Sequence, residues 1–276
     1  MNNGFSVLMS LYYKEKPEYF CACMDSILNQ TVTPDQIIIV KDGPLTAELE
    51  EALGSYVGKN ATIYTIVPIE KNGGLGPALA KGITYSKYNI VARMDTDDIA
   101  VNNRFELQLK EFEVDENLDI CGSNIVEFEG SIENIVAKRN VPLSHEEIVR
   151  YQKKRDAFNH MTVMYKKDAV LSAGNYQSVP LMEDTMLWVC MILNGAKCKN
   201  IETPLVYARV GHDMFERRGG WSYFLKYRDG RKKVYDTGFI SKADYFSTII
   251  IQLIVAVMPS KIRGMVFKKI LHRDKN

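Results

Sequence analysis

Residues 91–98 read VARMDTDD, an apolar strand-like run that ends in a turn carrying Asp95, Asp97 and Asp98 within four positions. Three carboxylates so close repel one another, so a compact turn holds them ionised only where a cation or surrounding water compensates. Hard carboxylate oxygens suit Mg2+ or Mn2+, which keep open positions for phosphate oxygens and water. Asp95 and Asp97, one residue apart, can both face one crevice from a strand end, and an ion held there would neutralise charge on a departing diphosphate. A solvated acidic turn, or a helix N-cap, is the competing reading of each Asp taken singly. A second acidic pair, Glu183-Asp184 in LMEDTMLWVCMILNGAK, precedes an apolar helical run. Taken alone it reads as a helix N-terminus stabilised by the macrodipole.

Other phosphate chemistries fit poorly. The glycine-rich stretch NGGLGPALAKG, residues 72–82, has Gly82 after Lys81 where a Walker A loop needs Ser or Thr, and Leu79 where a dinucleotide fingerprint needs its third glycine. A haloacid-type phosphatase wants its D-x-D directly after the first strand, some ninety residues earlier than DTDD.

The elements that must position these residues alternate in period. FSVLMS (5–10) reads as a buried strand, and Phe20, Cys23, Met24, Ile27 and Leu28 recur at helical spacing behind Pro17. QIIIV (36–40) is a buried parallel strand ending at Asp42-Gly43. A helix near 46–56, a strand at 62–67, a helix from about 77 to 87 and a strand at 89–93 follow. This rhythm predicts a doubly wound α/β sheet, whose ligands sit at the carboxyl ends of the strands. Asp42, Gly73, Gly74 and the Asp95 cluster all fall there and should face one crevice. Beyond residue 100 the pattern predicts a helix over NNRFELQLKEFE, a long strand over DICGSNIVEFE, a helix opened by a Ser144/Glu147 capping box and running to about Arg155, a short strand at 161–165 and a helix after Glu183-Asp184 with Gly195 as its C-cap.

Composition narrows the class. The 276 residues carry 35 Lys and Arg against 34 Asp and Glu, so no overall field argues for nucleic acid. The five cysteines are odd in number, sit in apolar runs and lack a zinc spacing, as reduced core residues of a cytosolic protein would. The N-terminal MNNGFSVLMS has no signal-peptide pattern. Near the C-terminus, FSTIIIQLIVAVM (246–258) is too short to span a bilayer. SKIRGMVFKKILHRDKN, after Pro259, mixes apolar and basic residues as an interfacial helix on anionic lipid does, or as a solvated basic tail after a core helix does.

In order and spacing, the strand ending in VKDG, then NGGLGPALAKGI, VARMDTDD and MEDTMLW resemble the family 2 inverting glycosyltransferases of GT-A fold, from about Phe5 to Trp221. The later stretches NHMTVMYKKDAVLSAGNY and LVYARVGHDMFERRGG resemble bacterial enzymes that build capsule, exopolysaccharide or O-antigen repeat units. The resemblance implies a GT-A catalytic domain over 1–220, with a nucleotide-binding half (1–100) and an acceptor-binding half (101–220), and a C-terminal helical membrane-surface segment (221–276). It implies a nucleotide-diphospho-sugar donor held by Asp42, Gly74, Arg93 and Asp95, with Asp42 on the base. Asp95 and Asp97, with His212, fall where the family holds Mn2+ or Mg2+. Asp98 falls where it would support the turn. Asp184 stands at the general base that deprotonates the acceptor hydroxyl. Glu183, His160, Arg217 and Arg218 are candidates for diphosphate or acceptor contacts; each histidine also reads as structural and each arginine as solvated. The processive Q-x-x-R-W motif is absent, ERRGGW matching it only in part, which favours adding one sugar over polymerising. The implied acceptor is a glycan, most plainly a polyprenyl-diphosphate-linked oligosaccharide at the inner leaflet, and the enzyme would rest peripherally on that membrane surface. A nucleotidyltransferase would share the sheet and acidic site but usually shows a glycine- and basic-rich loop where this chain has LYYKEKPEYF. A silent nucleotide-sugar binding module would tolerate loss of Asp184.

Overall fold

A computed structural model describes residues 4–211 and 219–258. His212, Arg217, Arg218 and the basic segment 259–276 lie outside the described residues.

The first half follows the expected rhythm. Strand β1 (Phe5–Leu11), helix α1 (Pro17–Leu28), β2 (Gln36–Asp42), α2 (Ala47–Lys59), β3 (Tyr64–Ile69), α3 (Leu75–Ile83) and β4 (Ile90–Arg93) succeed one another. β2 and β4 flank β1 in parallel and β3 lies outside β2. The chain therefore reverses direction across the sheet at the β1/β4 gap, the switch point where open α/β sheets bind ligands. Both faces of these strands are apolar and both are covered. Val7, Met9 and Ile39 pack under α1 and α2, whereas Leu8, Ile38 and Val40 pack under α3 and the helices that follow. Gly82 lets α3 lie directly on the sheet, since a Cβ there would stand 2.5 Å from Leu8 Cδ1 and 2.6 Å from Val40 Cγ2.

The second half is mixed. It comprises β5 (Ile99–Ala100), α4 (Arg104–Val114), β6 (Leu118–Phe128), β7 (Ile135–Arg139), α5 (His145–Gln152), β8 (Met164–Lys166), α6 (Lys167–Ser172), α7 (Glu183–Leu193) and β9 (Lys197–Arg209). The sheet order is β3-β2-β1-β4-β8-β6-β9-β5, with β7 added to β6. β8 is antiparallel to both β4 and β6, while β9 runs parallel to β6. The strand expected at 161–165 begins only at Met164; a 3-10 turn occupies His160–Thr162. Thr162 explains the shift, because its N–H and its hydroxyl both donate to Asn159 O, at 2.8 and 2.7 Å, a local bond that competes with the ladder. The capping box at Ser144/Glu147 is present, with the helix ending at Gln152, and Gly195 closes α7 at φ +89°. Two helices complete the described chain, α8 (Trp221–Asp236) and α9 (Lys242–Val257), and pack on α7 through Val179, Met182, Met186, Val189, Val234 and Ile240.

Candidate active site

The glycine-rich loop is organised by Asp42. Its carboxylate, buried at the end of β2, accepts from the N–H groups of Gly73 and Gly74, at 2.7 and 3.0 Å, and from the Asn72 side-chain amide at 3.0 Å. Gly74, at φ +90°, is the N-cap of α3, a conformation that side chains other than glycine rarely adopt. Asp42 and Gly74 are thus in one loop, as the strand-end placement requires.

One strand over, the DTDD turn leaves β4. Asp95, Asp97 and Asp98 each offer an oxygen, all within 4.8 Å of one another. The turn is braced from four directions. Arg93, 1% exposed, directs its guanidinium onto the Asp95 carboxylate, while its carbonyl accepts from Arg104 Nη2 at 2.7 Å. Cys23 Sγ donates to Asp95 O at 3.1 Å, and Thr96 Oγ1 donates to Glu15 Oε2 at 2.8 Å. Asp98 is tied to the end of β9, its Oδ1 accepting the N–H of Arg209 at 2.7 Å. The Arg209 side chain lies between the rings of Tyr19 and Phe128 and donates through Nε to Asp97 O at 3.0 Å. Crowding leaves a charge problem. Burial, then Asp95 and Glu15, push the Asp97 carboxyl up to about 7, and burial with Asp95 and Asp97 pushes Asp98 well above the ordinary carboxylate range. A hard divalent cation at Asp95 and Asp97 would relieve that repulsion, so the donor set fits Mg2+ or Mn2+.

The second acidic cluster lies at the N-terminus of α7. Asp184 Oδ1 accepts the N–H of Thr185 at 2.8 Å, and Thr185 Oγ1 donates to Asp156, which lies in the loop after α5. Burial, then Asp156 and Glu183, push the Asp184 carboxyl up to about 7. Burial also raises Glu183, whose Cβ abuts the α3 glycine Gly76. Such a carboxylate holds or releases a proton near neutral pH, as a general base must.

Between the clusters lies a buried polar seam. His160 Nε2 meets Tyr176 OH at 2.9 Å, and Tyr176 OH meets Tyr165 OH at 3.4 Å. Burial, aided by the positive charge of Arg93, holds His160 neutral by pushing its pKa well below the ordinary value. His160 is therefore placed in the wall behind the crevice, against Trp188 and Tyr176. Arg93 Nε and Nη1 have no hydrogen-bond partner and are closed off from solvent, so this guanidinium works through Asp95 and through its field. Three supports went unread in the sequence: Glu15, Asp156 and Arg209. Each reaches the site from a distant part of the chain and carries no local motif.

The sheet thus carries an acidic turn at its switch point and an acidic helix N-terminus in its second half, an arrangement suited to a phosphate-bearing donor and a hydroxyl acceptor. A family model described as glycosyl transferase family 2 matches residues 6–171, and the chain belongs to that family. It is 37% identical over 269 residues to the amylovoran biosynthesis glycosyltransferase AmsE of Erwinia amylovora, covering 96% of this chain and 98% of that one. It is 35% identical over 270 residues to the Escherichia coli UDP-Gal:alpha-D-GlcNAc-diphosphoundecaprenol beta-1,3-galactosyltransferase, covering 98% and 97%. Among solved structures, Staphylococcus aureus TarS 1–349 in complex with UDP-GlcNAc superposes with a TM-score of 0.62 at 16% identity, covering 98% of this chain and 72% of that one; the chain spans 43% of the longer TarS structure. The protein is a glycosyltransferase, and the nucleotidyltransferase reading is set aside by family membership.

Proposed function

We propose that the chain transfers one sugar, with inversion, from a UDP-sugar to a hydroxyl of a polyprenyl-diphosphate-linked glycan during assembly of a surface polysaccharide. The observation that carries this reading is the pair of acidic clusters, one fit for a divalent cation and one holding a carboxyl that titrates near pH 7. A relative that works on a diphosphoundecaprenol-linked sugar and a fold neighbour crystallised with UDP-GlcNAc support the choice of acceptor and donor.

In this reading the Gly73-Gly74 loop held by Asp42 lines the nucleotide end, and Asp95 and Asp97 are the residues that would hold Mn2+ or Mg2+. When bound, the ion would supply Lewis-acid neutralisation of the leaving group. Ionised Asp184 takes the acceptor hydroxyl proton as that oxygen forms its bond to the anomeric carbon. The bond from that carbon to the diphosphate breaks on the opposite face, its electron pair leaving with UDP. One displacement inverts the centre, so a single base suffices. His212, Arg217 and Arg218 are proposed from sequence as contacts to the ion or the diphosphate. Among the described residues no helix is long and apolar enough to cross a membrane; access to a lipid-borne acceptor is proposed through peripheral contact with the inner leaflet.

The test is a thermal-shift panel of UDP, GDP, CDP and dTDP with and without Mn2+, followed by transfer assays with the nucleotide that binds. A ligand specific to the native state stabilises by roughly 2.7 kcal/mol at a hundredfold excess over its Kd. The expected result is metal-dependent stabilisation by UDP that Asp97→Ala abolishes. Stabilisation by another nucleotide alone, or by UDP equally without metal, would overturn the donor or the metal assignment.

A further inference from the structure

The α8–α9 hairpin has two unlike sides. Its inner side is fastened to the helix that carries Asp184: Val234 and Ile240 pack with Met182, Met186 and Val189, and Tyr227, Tyr235 and Tyr245 close the contact. Gly230 brings α8 against the segment leading into α7, where a Cβ would stand 3.0 Å from Met182 Sδ and 3.3 Å from Pro180 O. Arg231 Nη2 donates to Lys153 O at 2.7 Å, beside the loop that carries Asp156. The hairpin is thus part of the wall that sets the base.

Its outer side has no cover among the described residues. On α9, Phe246, Ile250, Ile254 and Val257 recur at steps of four, four and three and so share one face, with Ile251 beside them. Trp221 joins this face where the Gly220 N–H donates to Ala256 O at 3.3 Å. These six side chains are 54% to 69% exposed. Residues 245–258 contain no Asp, Glu, Lys or Arg. A soluble surface rarely leaves such a patch unless something covers it.

We infer that this face, Trp221 with the outer stripe of α9, is the docking surface for an anionic lipid bilayer, and that it presents Asp184 to an acceptor carried in that bilayer. The inference rests on the proposed lipid-linked acceptor and adds the surface that meets its carrier. The chain continues from α9 with Lys261, Arg263, Lys268, Lys269, Arg273 and Lys275 against Asp274 alone. The sequence that follows the stripe is thus strongly positive, a charge that suits anionic headgroups. A second copy of this chain would carry the same positive sequence, so it offers no complementary charge. At 16 residues α9 is about 24 Å long, too short and too polar on its inner side to span a bilayer, and of a composition that lies in the interface.

The test uses the full chain and the variant Ile250→Ser/Ile254→Ser/Val257→Ser. All three positions are exposed, so the fold should persist, and an unchanged thermal shift with UDP and Mn2+ checks it. Binding is read by co-sedimentation with vesicles of phosphatidylcholine alone and of phosphatidylcholine mixed with phosphatidylglycerol. The wild type should partition onto the anionic vesicles and the variant at least about tenfold less. KM for a bilayer-embedded acceptor should rise about tenfold in the variant, while turnover of a short-chain, water-soluble acceptor stays unchanged. Equal partition of the two proteins overturns the inference. So does a wild-type dimer that the variant dissociates without any vesicle binding, which would assign the face to a second copy. Because sedimentation needs no turnover, vesicle binding without transfer would sink the proposed reaction and leave the docking surface standing.

Discussion

The site is built from two groups of three carboxylates that solve the same repulsion differently. Asp95, Asp97 and Asp98 leave a strand end and are braced by two arginines, Arg93 on the Asp95 carboxylate and Arg209 on the Asp97 carbonyl and the Asp98 side chain. Asp156, Glu183 and Asp184 meet at a helix N-terminus, where the donors are a threonine hydroxyl, a backbone N–H and, at 3.4 Å, the Gln152 amide. Among the described residues no cation forms an ion pair with this second group; Arg93 reaches Asp184 only through its field. Asp97 and Asp184 are both pushed up to about 7, yet the remedies differ. A divalent cation would draw the Asp97 proton off and keep it off, whereas Asp184 stays free to take one. In the proposed reaction, cation binding therefore falls to the first group and proton transfer to the second.

The largest expected effect breaks the comparison on the base side. Asp184→Asn should lower kcat by about 10³-fold with little change in donor binding, since it removes the base alone. In the wild type, kcat should rise with pH through about 7 and level off above, because the base works ionised. Stability should run the other way. The unfolded carboxylate ionises near 4 and the folded one near 7, so the folded state binds the extra proton between them and stability falls over that window as pH rises. Asp184→Asn should remove its own share of this fall, leaving that of the Asp97 turn, and raise Tm at pH 8 by roughly 2–4 °C for each kcal/mol recovered. A variant as active as wild type at pH 8 would remove Asp184 from the chemistry.

Next in size is the cation side. Asp97→Asn should weaken Mn2+-dependent UDP binding and turnover by about 10²-fold while leaving the pH dependence near 7 in place for the activity that remains. A shift of that limb would mean Asp97, and not Asp184, is what titrates. Arg93→Gln sharpens the comparison by removing a cation whose field reaches both groups. Asp95 loses its buried partner, which should cost about 2 kcal/mol in Tm-based stability. Arg93 favours ionised Asp184, so its loss should move the activity limb to higher pH. An unmoved limb in a folded variant would confine Arg93 to the turn.

Legibility in the sequence follows the same division. The first half could be read because each element carries one clean period: β1 and β2 are continuous apolar strands, and α1 repeats its apolar residues behind Pro17. The residues at those strand ends, Asp42 and Asp95 to Asp98, were placed by the same reading. In the second half β9 could not be read. Its thirteen residues alternate only at first, Pro204 interrupts them, and the pairing with β6 slips between Ser123 and Ile125. Arg209, at its end, braces a turn more than a hundred residues away, and that contact exists only once β9 is laid beside β6. Asp156 was hidden for the same reason, lying in a polar loop whose neighbour in space, Thr185, belongs to another element. The Glu183-Asp184 pair alone reads as an ordinary helix start. Only its burial beside Asp156 sets it apart from an ordinary cap.

The smallest predicted effect isolates the turn from the base. Arg209→Lys keeps the backbone N–H that binds Asp98, and keeps a positive charge, but a lysine cannot donate to Asp97 O and Gly130 O together or lie flat between Tyr19 and Phe128. Losing the two side-chain hydrogen bonds should lower stability by about 1–2 kcal/mol. The turn carbonyl at Asp97 would be freer, so Mn2+ affinity measured by calorimetry should fall a few-fold, as losses behind a ligand do. The activity limb near pH 7 should not move, because nothing in the Asp156, Glu183 and Asp184 group touches Arg209. A limb that moved with this substitution would show that the two acidic groups communicate through the sheet, and the division of labour between them would have to be given up.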